Sequence, residues 1–91
     1  MKLTSRSEYA LLALVYLARN ETTGYVSAET IAEAQRIPSK FLEQILLALT
    51  RAKYLRSSKG QHGGYRLAKP AEKVTLAEII RLFTPSGRRG P

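Results

Sequence analysis

The sequence predicts a mainly α fold with one small β-hairpin, a winged helix-turn-helix. Three observations carry this. Two stretches of helical periodicity meet across Pro38, leaving a turn of three or four residues between them. A glycine-rich turn, Gly60-Gln-His-Gly-Gly64, follows the second stretch and separates two short strand candidates. A further helical segment stands at each end, so the order is helix, helix-turn-helix, hairpin, helix.

The first helix is expected from about Ser5 to Asn20. Its centre, Tyr9 to Ala18, is a ten-residue apolar run, too short to span a bilayer, which needs about 20 residues. Lys2 and Arg6 ahead of it give it the outline of a secretory signal. Glu8 at its edge, its tyrosines and the lack of a small-x-small cleavage pattern argue instead for a helix buried on most sides. Asn20 to Gly24 reads as helix exit and loop.

Ser27 can cap the second helix, with Val26 and Ile31 as a hydrophobic staple and Glu29 in the first turn, where the helix dipole favours an anion. Ala28, Ile31, Ala32 and Ile37 form its packed side. Pro38 disfavours helical backbone at Ile37, so this helix stops near Gln35. Pro38 also suits the first position of the third helix, expected to run to about Ala52. Phe41, Leu42, Ile45, Leu46, Leu49 and Ala52 form its buried stripe, with Lys40, Glu43, Gln44, Leu47 and Arg51 on the other side. Leu55–Lys59 and Tyr65–Leu67 are the strands, Leu55 and Leu67 pointing inward. Thr75-Leu-Ala-Glu78 is a capping box, and Val74 with Ile79 a second staple. Leu76, Ile79, Ile80 and Phe83 are expected to face the core from the last helix. Residues 1–83 thus form one domain, and 84–91 lack pattern and read as a disordered tail.

Composition narrows the function. Among 91 residues there is no cysteine, no aspartate and one histidine, His62. Disulfides, thiolate metal sites, iron–sulfur ligation, a cysteine nucleophile and the usual triads are excluded, so an enzyme is not expected. The net charge is +8, and residues 34–71 carry eight basic residues against Glu43 alone, a net of +7. Such clustering favours a polyanionic partner over a merely solvated face.

Recognition helices reach base edges with their N-terminal residues. Ser39 and Lys40 can bind phosphate or base acceptors. Gln44 can pair bidentately with adenine, and Glu43 can accept from a cytosine amino group or simply partner Lys40 on the surface. Arg51 and Lys53, at the far end, complement the helix dipole. Arg56, Lys59 and Arg66 flank the glycine turn, where a wing would rest on the minor groove or its phosphates. Gly63 and Gly64 serve either the turn or a close backbone approach. His62, alone at the loop tip, fits a surface position or a polar DNA contact better than a metal site. Tyr9, Tyr16, Tyr54 and Tyr65 read as core or core-edge residues rather than stacking platforms, with Tyr65, next to the wing, the exception to test. A nucleotide-binding phosphate loop is excluded, because no Lys-Ser or Lys-Thr follows at the needed spacing.

Met1-Lys-Leu-Thr4, Tyr9-Ala10, Phe41-Leu-Glu-Gln-Ile-Leu46, Gly63-Gly-Tyr-Arg-Leu67 and Thr75-Leu-Ala-Glu-Ile-Ile80 resemble the Rrf-type (Rrf "two") bacterial transcription regulators, which include an iron–sulfur cluster regulator, a nitric-oxide-sensing repressor and a cysteine-metabolism repressor. The resemblance covers residues 1–83. It implies a cytoplasmic, DNA-binding repressor acting as a homodimer on a partly palindromic duplex. It points to Ser39, Lys40, Phe41 and Gln44 in the recognition helix, to Lys59, Gly60 and Gly63 in the wing, and to Lys2, Thr4 and Arg6 at the first helix. Many relatives carry three cysteines after this point and then a long dimerisation helix. The sequence reaches Pro91 with neither, as a truncation, a short paralogue or an altered tail would each give. No cofactor is then expected in this chain, although full-length relatives often hold a cysteine-ligated cluster. The dimer would be weakened and would meet through Leu11, Leu14 and Val15. The other readings of the basic segment are a protein-interaction winged helix for an acidic partner and an RNA-binding module. No membrane partner is expected.

Overall fold

The computed structural model describes residues 5–21, 24–61 and 63–83. Four helices and a two-stranded antiparallel hairpin follow in the expected order: α1 Ser5–Arg19, α2 Ala28–Gln35, α3 Ser39–Arg51, β1 Leu55–Ser58, β2 Gly64–Leu67 and α4 Leu76–Phe83. A 3-10 turn, Ala71–Lys73, precedes α4 and was not anticipated. Lys2, Thr4, His62 and the expected tail at 84–91 lie outside the described residues.

The core gathers on α3. Leu42, Ile45, Leu46 and Leu49 are fully buried, against Ala10, Ala13, Leu14 and Leu17 of α1, Ile31 and Ala32 of α2, Leu55 of β1 and Ile79 of α4. Each fully buried aliphatic side chain of this kind contributes about 1.5–3 kcal/mol relative to an exposed one. Ala10 and Ala13 are wholly inaccessible, and their single methyls let α1 approach its neighbours closely.

Local chemistry sets the ends of the two central helices. Ser27 Oγ accepts from the Thr30 amide at 3.1 Å and caps α2. At its far end Arg36 adopts left-handed backbone (φ 54), while the Ile37 amide reaches back to the Ala32 carbonyl at 3.0 Å. The end of α3 repeats the device. Lys53 (φ 71) donates to Thr50, and Tyr54 donates to Leu49 at 2.9 Å, closing a Schellman motif. A basic residue fills the left-handed position each time, at the end of a helix where the dipole favours a cation.

Some expectations are corrected. Pro38 is the N-cap of α3 rather than its first helical residue. Phe41 leaves the buried stripe: it is 44% exposed and stacks on Tyr9, with ring centroids 6.2 Å apart. It lies at the margin of the apolar face, where α1 covers one side only. Leu76 is 56% exposed, so among the residues assigned inward on α4 only Ile79 is fully buried. Lys59 falls just past β1, and β2 begins one residue earlier than expected, at Gly64.

Candidate nucleic-acid interface

The exposed face of α3 presents Lys40, Glu43, Gln44, Leu47 and Arg51, all accessible to solvent. Ser39, at the first turn, is also exposed. Glu43 and Gln44 are neighbours in sequence but face different ways. Glu43 lines a polar recess with Ala28 and Glu29 of α2, and with Ser39 and Leu42. Gln44 turns toward α1, where its Oε1 accepts a hydrogen bond from Arg6 Nη2 at 3.1 Å. No ion pair links Glu43 to Lys40 among the described residues.

The hairpin is the wing. Its register pairs Leu55 with Leu67, Arg56 with Arg66, Ser57 with Tyr65 and Ser58 with Gly64. Directly opposed residues share a sheet face, so the two arginine side chains leave the same, exposed face while Leu55 is buried on the other. Like charges opposed in this way destabilise a hairpin. No carboxylate pairs with either arginine among the described residues. Arg66 lies 5.6 Å over the Tyr25 ring, a cation–π contact that holds its side chain without neutralising it.

The wing is tied back to the body. Val26 and Tyr65 exchange both backbone hydrogen bonds, at 2.8 and 2.9 Å. This bridge explains Gly64: a Cβ there would run into the Val26 carbonyl. A Cβ on Gly63 would run into the Ser58 carbonyl. Both glycines therefore answer to close backbone approach within the fold. Gly60, with φ 106 and open space around it, meets the backbone conformation of the turn. Lys59 and Gly60 are exposed at the wing tip. Tyr65 is half-buried against the core and is not a free stacking platform.

Sequence reasoning missed two members of this surface as contact residues. Leu47, 49% exposed, sits on the face that carries Lys40 and Arg51. Tyr25 carries no signal in the sequence, and the Val26–Tyr65 bridge brings it beside Arg66. Helical spacing placed Leu47 correctly; nothing local to Tyr25 signals its role.

A shallow apolar trough of about 250 Å³ lies between α1 and α4, lined by Leu11, Val15, Ala18, Leu67, Val74 and Leu76; of the three α1 residues expected to meet a second copy, Leu14 is buried in the core and Leu11 half-buried, and only Val15 is exposed. Among the described residues no helix is long and apolar enough to cross a membrane.

Comparisons with known proteins agree with this architecture. A family model described as Rrf2, iron-dependent transcriptional regulator, matches residues 3–88. The chain is 39% identical over 82 residues to the HTH-type transcriptional regulator IscR of Cereibacter sphaeroides, covering 88% of this chain and 53% of that protein. The structure of T. potens IscR superposes with a TM-score of 0.85 at 31% identity, over 99% of this chain and 66% of that one. CymR (YrzC), described as the global cysteine regulator of B. subtilis, superposes with a TM-score of 0.86 at 28% identity, over 100% of this chain and 69% of that one. The chain spans about half the length of the curated relatives it matches. The iron in the family's description finds no ligand set here. There is no cysteine in the sequence, and no group of three His, Cys, Asp or Glu side chains able to hold a metal among the described residues. The winged helix-turn-helix, its basic wing and the match across residues 3–88 together make this chain a member of the Rrf2 family of transcriptional regulators.

Proposed function

We propose that the chain is a sequence-specific duplex-DNA reader that represses transcription. In this reading α3 enters the major groove and the wing rests on the neighbouring backbone. One observation supports it above the others: Arg56 and Arg66 oppose each other across the wing with no carboxylate between them. An arrangement that costs the hairpin stability is accounted for by an external polyanion. Ser39, Lys40, Phe41, Glu43 and Gln44 supply the groove contacts. Lys59, Gly60, His62 and Gly63 are the DNA contacts of the wing, and Lys2, Thr4 and Arg6 those at the first helix. The site works in the cytoplasm, and these residues hold no cofactor. Two copies bind a partly palindromic duplex, meeting weakly through α1.

The test is duplex affinity as a function of salt. The logarithm of the association constant should fall linearly with that of salt, with a slope of about −0.9 per neutralised phosphate. Heparin and structured RNA should compete poorly with the preferred duplex. Affinity insensitive to salt, or equal binding of all three polyanions, would end this reading.

A further inference from the structure

The Arg6–Gln44 hydrogen bond joins the first turn of α1 to the reading face of α3, across 38 residues of sequence. One helical turn further along α1, Tyr9 stacks on Phe41, one turn back along α3. The two contacts clasp the helices at the end that enters DNA. Arg6 stands where the α1 dipole is positive, so helix electrostatics does not favour a cation there. Its partner is an amide rather than a carboxylate, so the contact does not neutralise it.

The chemistry of the pair is directional. A guanidinium has only donors, so the Gln44 amide must offer it Oε1. The amide then turns Nε2, with its two hydrogens, away from α1. Bidentate pairing with adenine requires Oε1 and Nε2 side by side, the oxygen accepting from the adenine N6 amino group. Arg6 occupies one lone pair of that oxygen and orients it toward α1. The Gln44 amino group then stands with the remaining N–H groups of Arg6, a set richer in donors than in acceptors. In the major groove guanine presents two adjacent acceptors, N7 and O6, whereas adenine and cytosine present amino groups that would face donors.

We infer that Arg6 is a specificity-positioning residue: it fixes the Gln44 amide as a donor, so that the pair reads guanine in preference to adenine. The inference rests on α3 entering the major groove, as proposed above.

The experiment is selection of bound sites from random duplexes by the full chain and three variants. Gln44→Ala identifies the base position that Gln44 reads, as the one that relaxes. At that position the unaltered chain should favour guanine over adenine by about ten-fold. Arg6→Ala frees the amide and should shift the preference toward adenine there, leaving the other positions unchanged. Arg6→Lys retains a donor and should keep part of the guanine preference. A uniform loss of affinity in Arg6→Ala with an unchanged base preference would make Arg6 a plain phosphate contact and overturn the inference, while leaving DNA reading intact. Adenine preference in the unaltered chain would overturn it too. Failure of the unaltered chain to select any duplex would overturn the DNA-reading role itself, a distinguishable result. In the free protein, Arg6→Ala should also move the Gln44 side-chain amide resonances; their constancy would show that no such bond forms.

Discussion

Gly64 and Gly24 both adopt positive φ, at 154 and 83, but for different reasons. Around Gly24 the space is open, and only the backbone conformation resists a side chain. At Gly64 a methyl meets the Val26 carbonyl, whose hydrogen bond to the Tyr65 amide ties the wing to the body. Gly24→Ala should therefore cost about 1 kcal/mol, the usual penalty of left-handed backbone. Gly64→Ala should cost about 2–3 kcal/mol, because the bridge must shift as well. Chemical denaturation of the two variants distinguishes them, and equal losses would mean that the bridge adds nothing to stability. From sequence the Gly-Gly pair reads equally well as a turn requirement, because Val26 and Gly64 meet only through tertiary structure. The same limit hid the partner of Gln44. Its exposure followed from helical spacing, but Arg6 lies a whole helix-turn-helix away.

The elements themselves were legible wherever local chemistry decides them. Pro38 and the Ser27 cap place the ends of α2, and the apolar stripe of α3 survives except at Phe41. The 3-10 turn and the exposure of Leu76 were not legible, because they depend on how α4 docks. That docking has a polar latch. Tyr54, just before β1, donates its hydroxyl to Glu78 Oε1 at 2.6 Å, and the Thr75 hydroxyl donates to Glu78 Oε2 at 3.0 Å. The capping-box glutamate predicted from Thr75-Leu-Ala-Glu78 thus also ties α4 to the hairpin. The Tyr54 hydrogen bond, then that from Thr75, holds the Glu78 carboxyl below its ordinary pKa. The same bond, with burial, raises that of Tyr54. A depressed carboxylate stabilises the fold above its ordinary pKa, about 4.3, and loses that contribution as pH falls through the lowered value. The raised Tyr54 contributes below its ordinary pKa, about 10, and loses its contribution as pH rises through the raised one. Tyr54→Phe should therefore move the Glu78 titration midpoint upward, toward the ordinary value, and weaken the acid dependence of stability. Carboxyl-carbon NMR titration of both proteins measures this directly, and an unchanged midpoint would show that the latch is open in solution.

At the scale of the whole molecule, charge distribution sets the terms on which two copies can meet. Each carries +8, with +7 of it between residues 34 and 71, whereas residues 1–33 carry a net of −1. Contact through the wing or through α3 would set like charges together and hide the face proposed to read DNA. Contact through α1 avoids the basic segment, and it would cover Val15 and Leu76, at 44% and 56% exposure, beside the apolar trough. Salt then separates the two associations. Screening weakens the repulsion between copies, so self-association should strengthen from low to moderate salt, while duplex binding weakens over the same range. Sedimentation across a concentration series should show weak, reversible self-association that Val15→Lys abolishes without unfolding the domain. Val15→Lys should also reduce affinity for a two-half-site duplex more than for a single half-site, because only the former gains from the second copy. A monomer at every concentration and salt, or equal loss on both duplexes, would remove α1 as the meeting surface.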